Sequence, residues 1–174
     1  MKIEVVRAGP EQQPVIEHLF QFYHYDWTEI AREGEETYSN VGENGLFDVE
    51  SLARFWNEPK RHPFLLKVDG TLAGFALVRQ QSYLSGDPET NDMVEFFVMR
   101  KFRRKGVGRE MATRLFTMFP GRWEVREVAE NANAQAFWRA VIGGYTGGAY
   151  EETWVENEKW TGPVQSFLRS GAKE

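Results

Sequence analysis

Cysteine is absent from all 174 residues. That single absence excludes disulfide bridges, a thiolate nucleophile and thiolate zinc sites. Histidine is scarce: His18, His24 and His62 are the three, none in an HExxH spacing, so no metal centre is expected. No apolar run approaches the length of a membrane span, and the opening MKIEVVRAGPEQQP has no stretch suited to a signal peptide. A soluble, cytoplasmic protein without a membrane partner is therefore expected. The net charge of −5 argues against a general nucleic-acid binder. Neither GxGxxG nor GxxxxGKS/T occurs, so the common dinucleotide and P-loop patterns are excluded as well.

What is present is enough apolar and aromatic side chain, 41% and 14% of residues, to bury a core. The length fits one domain over residues 1–174, with no repeat, linker or low-complexity stretch. KIEVVR alternates as a strand, and Pro14 suits the first turn of a helix carrying Ile16, Leu19, Phe20 and Tyr23. Asp48 is a plausible cap for a short helix in DVESLARFWN. Asp69-Gly70 sits between two β-rich runs and signals a hairpin. DMVEFFVM and WEVREV read as further strands. A helix with Val107, Met111, Ala112 and Leu115 on one face lies between them. A last helix, capped by Asn131 or Asn133, closes at Gly143-Gly144, and the aromatic tail supplies two more strands. The composite is one α/β domain. Its tail strands could pair across a homodimer.

Charge is unevenly spread. Residues 26–50 hold eight acids and one base, whereas residues 100–109 hold six bases and no acid. Solvated faces account for many such runs, but the basic one falls at a strand-to-helix junction and contains Gly106 and Gly108. Unpaired N–H groups at a helix start, side-chain-free glycines, and Arg103, Arg104, Lys105 and Arg109 together suit a phosphate or pyrophosphate.

The stretch EFFVMRKFRRKGVGREMATRLF, with its RxxGxG at residues 103–108, resembles the acetyl-CoA-binding motif of the GNAT superfamily of N-acetyltransferases. NANAQAFW, residues 131–138, is similar to that superfamily's N-x-x-A-x-x-F-Y helix. The resemblance implies a mixed, mostly antiparallel central sheet flanked by helices, with splayed middle strands forming an acyl-CoA cleft. It also implies acetyl transfer from acetyl-CoA to a primary amine by direct attack in a ternary complex. A non-catalytic acyl-CoA-binding module of the same fold, or an unrelated anion-binding domain, is the alternative.

By that resemblance the turn of Arg103, Arg104, Lys105, Gly106, Val107, Gly108 and Arg109 holds the CoA pyrophosphate. Phe97, Val98 and Met99 offer strand backbone to the pantetheine arm. Asn131 contacts the arm or simply caps its helix, and Phe137 and Trp138 pack near it. Glu95 is the only charge in MVEFFVM, where alternation places it with Met93, Phe97 and Met99. It is on a solvated face, paired with a cation, or a general base in a cleft. Trp138 stands where relatives carry a tyrosine that protonates the leaving thiolate, and an indole N–H cannot do so. Tyr145 and Tyr150 are candidate substitutes. The acceptor is expected to be a small cationic molecule or basic peptide, drawn by Asp26, Glu29, Glu33, Glu35, Glu36, Glu43 and Asp48. Tyr23, Tyr25 and Trp27 would offer it aromatic faces.

Overall fold

A computed structural model describes residues 1–30 and 40–169; Glu33, Glu35 and Glu36 lie outside the described residues. The chain runs through β1 (Ile3–Arg7), α1 (Gln13–Trp27), α2 (Arg54–Asn57), β2 (Arg61–Val68), β3 (Thr71–Arg79) and β4 (Thr90–Val98). It continues through α3 (Val107–Met118), β5 (Gly121–Arg126), α4 (Ala132–Thr146), β6 (Glu151–Glu156) and β7 (Thr161–Arg169). The strands form one sheet in the order β1-β2-β3-β4-β5-β7-β6. Every neighbouring pair is antiparallel except β4 with β5. Those two are parallel because α3 carries the chain back between them. No helix among the described residues is long and apolar enough to cross a membrane.

Two apolar layers hold the sheet. On one face Met111, Leu115 and Phe116 of α3 and Trp138 and Ile142 of α4 pack on Leu66, Val78, Met93, Trp123 and Val125. On the other, Ile16, Leu19 and Phe20 of α1 and Phe55 of α2 cover Leu65, Phe75, Leu77 and Phe97. Each such side chain contributes about 1.5–3 kcal/mol by leaving water. The β2–β3 hairpin turns at Asp69 and Gly70, both at positive φ (48° and 77°), as a two-residue hairpin turn requires.

Two helix boundaries differ from those the sequence predicts. Asp48 caps nothing; α2 begins at Arg54 and has Ala53 as its N-cap residue. The segment forms a single turn anchored by buried Phe55, too short to reach back to Asp48. Helix α4 continues through Gly143-Gly144 to Thr146 and ends on Gly147 at φ 62°. Two interior glycines cost roughly 1 kcal/mol each in propensity, but burial of Val141 and Ile142 just before them keeps the helix on the sheet.

The feature that makes a site is the parting of β4 from β5. They pair at four positions, from Thr90↔Arg122 to Met93↔Val125, and no further. Beyond that point β4 stays with β3 as far as Gly74↔Val98, while β5 stays with β7 as far as Arg126↔Val164. A bulge falls at the same place: Leu77 pairs with Glu95 and Val78 with Met93, so Val94 is extra. A bulge residue reverses the alternation of everything beyond it. Met93 therefore joins the α3/α4 layer, while Glu95 and Phe97 point to the α1 side. Strict alternation would have kept Met93 and Glu95 together; the bulge separates them.

Candidate active site

The turn after β4 is built from backbone. A 3-10 turn at Arg100–Phe102 leads into Arg104 at φ 58° and Gly106 at φ 78°. Gly106 is the N-cap residue of α3, in a left-handed conformation that a side chain would strain. A Cβ there would meet no atom within 4 Å, so the space above it is open. The first N–H groups of α3 have no helical partners. Gly108 serves a different end: a Cβ would lie 3.2 Å from the Phe137 ring and 3.5 Å from Val98. Its bareness lets α4 close on α3.

The cations of the turn divide in two. Arg103 folds back, donating from Nε to the Val98 carbonyl at 2.6 Å and pairing its Nη2 with Asp26. Arg100 joins the same carboxylate at 2.8 Å. Arg104, Lys105 and Arg109 are exposed and make no ion pair among the described residues. These three, with the backbone N–H groups, form the anion site; Arg103 braces it against α1.

Where β4 and β5 part, a cavity of about 630 Å³ opens. Phe20, Tyr23, His24 and Trp27 of α1 form one wall, with Glu50, Leu52 and Phe55 beside them. Glu95 and Phe96 of β4 face Arg126, Glu127 and Val128 across the gap. Asn131, Ala134 and Trp138 of α4 close one end, and Tyr83 and Trp160 the other. The far end is tied by ion pairs. Asp92 is fully buried and takes both Arg79 (2.6 Å) and Arg126 (3.2 Å). The Arg126 guanidinium also lies between the rings of Tyr83 and Trp160, at 4.4 and 4.7 Å. Glu124 accepts a 2.7 Å hydrogen bond from Ser82.

Glu95 keeps some exposure through the cavity, but protein surrounds its carboxyl. Desolvation pushes its pKa up to about 7 against the partial counterweight of a Tyr23 hydrogen bond and of Arg126. The Tyr23 phenol is itself raised well above its ordinary value by burial and by Glu95, while a hydrogen bond from Trp27 works the other way. Tyr23 and Trp27 thus stand beside the carboxyl in the cavity wall. A carboxyl that is half ionised near neutral pH, in a cleft, is suited to take a proton.

The other expected residues fall in several places. Phe97 is buried toward α1, with the Arg103 guanidinium 5.6 Å from its ring centre; Val98 and Met99 lead into the turn. Asn131 caps α4, its Oδ1 accepting from the Ala134 N–H at 3.0 Å, while also lining the cavity. Phe137 and Trp138 pack on Phe96 at 5.7 and 4.9 Å. Tyr145 is not brought to the cavity. Its ring lies against Phe116 and Phe167, with its hydroxyl 3.5 Å from Thr117, because the last turn of α4 faces β7. Tyr150 is likewise absent from the cavity wall and packs beside Gly143.

The acceptor candidates scatter too. Tyr23 and Trp27 line the cavity, whereas Tyr25 points to solvent and Asp26 is held by Arg100 and Arg103. Glu29, Glu43 and Asp48 are exposed and stand outside the cavity wall. The sequence reading missed Glu127, Arg126, Tyr83 and Trp160. Glu127 had a usable signal: within WEVREV it falls in phase with apolar Trp123 and Val125.

A basic anion turn at a helix start, followed by a cleft between parted parallel strands, matches a known family. The family model for the acetyltransferase (GNAT) family matches residues 19–143. The chain belongs to the GNAT acetyltransferase family. Solved structures agree on the fold at low identity. An acetyltransferase from Thermus thermophilus superposes with a TM-score of 0.65 at 16% identity, covering 97% of each chain. The PaiA N-acetyltransferase from Thermoplasma acidophilum, in complex with coenzyme A, gives 0.63 at 13%, covering 97% of this chain and 99% of that one. The ribosomal-protein-S18-alanine N-acetyltransferase from Escherichia coli gives 0.55 at 15%, covering 99% and 97%. No curated protein matches the chain. Within this GNAT fold no cluster of metal-ligating residues occurs among the described residues.

Proposed function

We propose that this GNAT protein transfers the acetyl group of acetyl-CoA to a primary amine, with Glu95 as the general base. The observation that carries the reading is the placement of Glu95. It stands at the parting of β4 and β5, in the cavity wall, with a pKa of about 7. The donor substrate fits the other half of the site. Its pyrophosphate would meet the open space over Gly106, the N–H groups opening α3, and Arg104, Lys105 and Arg109. Its arm would follow β4 past Val98, where β5 no longer pairs with the strand. CoA held by a structural neighbour supports this assignment.

In the reaction the amine enters from the α1 side and loses its proton to Glu95. It then attacks the thioester carbonyl, whose developing oxyanion a β4 N–H near Phe97 or Val98 would stabilise; as the C–N bond forms the C–S bond breaks, and CoA leaves as the thiol with the second proton of the nitrogen. No covalent enzyme intermediate is needed. A small cationic molecule or basic peptide is the acceptor we favour. With Asp26 neutralised, support for a cation comes from Glu50 and the rings of Tyr23 and Trp27 in the cavity wall. Trp138, which supplies no phenol, is the feature favouring the alternative of a CoA-binding module without catalysis. One experiment tests both readings. Acetyl-CoA is incubated with polyamines, aminoglycoside-like compounds, basic peptides and acidic or neutral amino acids, and thiol release is followed. Release with cationic amines supports the proposal; release with none, despite CoA binding by calorimetry, overturns it in favour of the binding module.

A further inference from the structure

We propose that the buried Arg79–Asp92–Arg126 cluster is the positioning device of the general base: its one unbalanced positive charge holds the Glu95 carboxyl in the form that accepts the amine proton. The inference rests on the acetyl-transfer reading above and gives Arg126 and Asp92 opposite influences on the base of that site. Both act through Glu95 and have no step of their own.

Strand alternation and one bulge bring the four groups to the same face of the sheet. Arg79 of β3 pairs with Asp92 of β4, and their neighbours Val78 and Met93 belong to the α3/α4 layer. Trp123 and Val125 of β5 belong to that layer too, so Arg126 turns to the opposite face, where it meets Asp92. Glu95 would have followed Met93 toward α3 and α4. The bulge at Val94 moves it instead to the face of its partner Leu77, in the α1 layer, which is the face of the two guanidiniums. Asp92 stands one residue before the last paired position, Met93↔Val125, Arg126 one residue after it and Glu95 two. The cluster thus sits where the strands part, with Arg79, Arg126 and Glu95 all in the cavity wall.

The cluster lacks one negative charge. Asp92, fully buried, is the single carboxylate for Arg79 at 2.6 Å and Arg126 at 3.2 Å. The two arginine side chains are 13% and 8% exposed, so water screens little of the remaining charge. Packing fixes its place. The Tyr83 and Trp160 rings hold the Arg126 guanidinium, and Lys159, next to Trp160, ties the β6–β7 turn to the Leu84 carbonyl at 2.9 Å.

Other ionisable groups around the cavity are committed elsewhere or carry no charge. Glu50 is paired with Arg54, Arg61 with Glu58, and Glu124 takes the Ser82 hydroxyl. Burial keeps His24 of α1 toward its neutral form and Glu127 toward its acid form. Glu130 and Lys159 are exposed, and solvent screens them. Glu95 therefore faces a buried net positive charge through protein of low dielectric, where charges act without contact. Desolvation raises the Glu95 pKa; the Tyr23 hydrogen bond and Arg126 work against that rise, and Asp92 and Glu50 work with it.

Charge and packing predict different signs, and three variants separate them. Arg126→Gln brings the cluster to zero charge, Asp92→Asn takes it to two positive charges, and Arg126→Lys leaves it at one. The Glu95 carboxyl is titrated directly by carbon-13 NMR, alongside acetyl-transfer rates across pH. In Arg126→Gln the Glu95 midpoint and the acid limb of the rate should rise by ~1 pH unit. The rate below neutrality should fall up to ~10-fold and recover at higher pH. In Asp92→Asn both should move to lower pH, and in Arg126→Lys both should stay near wild type. If Arg126→Gln does not fold, Arg79→Gln removes the same charge and leaves Arg126 between its rings; it too must raise the midpoint. Midpoints that stay in place, or that move the same way in the glutamine and asparagine variants, overturn the proposal. Midpoints displaced as stated while the rate profiles stay fixed would support the hold on Glu95 and overturn its role as base, so the two failures are told apart.

Discussion

The anion turn and the cavity it serves are built on opposite plans. The turn is contiguous, exposed and made largely of backbone: residues 103–109, two positive φ angles and three cations without an ion pair among the described residues. The cavity is assembled from α1, the 50–55 segment, β4, the end of β5, α4 and the β6–β7 turn, and its decisive groups are buried side chains. One works through charge in water, the other through charge withheld from water. Ionic strength and backbone freedom should therefore control the first, and pH the second.

The largest effect should come from the buried plan. Glu95→Gln keeps the size of the side chain and removes the proton acceptor. At pH near 7 kcat should fall ~10²-fold or more, with CoA affinity unchanged. The deficit should narrow as pH rises, because more of the amine is then neutral without help. Steady-state rates across pH, with calorimetric CoA titration as the control, measure it. Equal turnover in wild type and variant would make Glu95 a structural residue.

Next comes a contrast inside the turn. Gly106→Val forces a β-branched residue to φ 78°, displacing the N–H groups that open α3. CoA binding should weaken at least ~10-fold, about 1.4 kcal/mol. Gly108→Ala should act on packing instead, since its Cβ would press the Phe137 ring at 3.2 Å. Melting temperature should drop for Gly108→Ala more than affinity does, and the reverse for Gly106→Val. If both variants lose affinity equally, the two glycines share one role.

A smaller, purely electrostatic effect should follow from Arg104→Ala combined with Lys105→Ala. These side chains are exposed, so each contact is worth on the order of 1 kcal/mol or less. The KM for acetyl-CoA should rise several-fold at low salt and become less sensitive to added salt. The pH at which Glu95 titrates should not move. A shift of that pH would show that the two plans are coupled.

This division also explains what could be read in the sequence. RRKGVG announced its function because turn chemistry is local: glycine, charge and a strand-to-helix junction sit within six residues. The α/β order and the β2–β3 hairpin were legible for the same reason. Cavity chemistry is not local. Asp26 looked like part of an acidic acceptor wall, yet the fold carries it to Arg100 and Arg103, more than seventy residues away. The face of Glu95 depended on a bulge at Val94, which no composition rule marks. Arg126 between Tyr83 and Trp160 needs three segments to meet. Glu127 alone left a trace, as an acid in phase with two apolar residues.

The smallest expected effect isolates the Tyr23 hydroxyl beside Glu95. The Tyr23 hydrogen bond lowers the Glu95 pKa, opposing the larger upward push of burial. Tyr23→Phe removes only the hydroxyl and leaves the ring against Phe75 and Phe97. The Glu95 pKa should then rise further above about 7. A base is active when ionised, so the acid side of the rate profile should move to higher pH. Below neutrality the variant should lose a few-fold in rate; at higher pH, with Glu95 ionised in both proteins, the rates should converge. Stability moves in the same window. The folded-state pKa of Glu95 lies above its unfolded value of 4.5, so the fold binds the proton more tightly than the open chain. Its contribution is fully present below that unfolded value and is lost as pH rises through about 7. In Tyr23→Phe the loss should extend to higher pH and grow larger, because the ionised carboxylate has one donor fewer. Rate profiles and melting curves taken over the same pH series check both signs. A profile displaced toward lower pH would mean that Tyr23 destabilises the carboxylate, contrary to the geometry described.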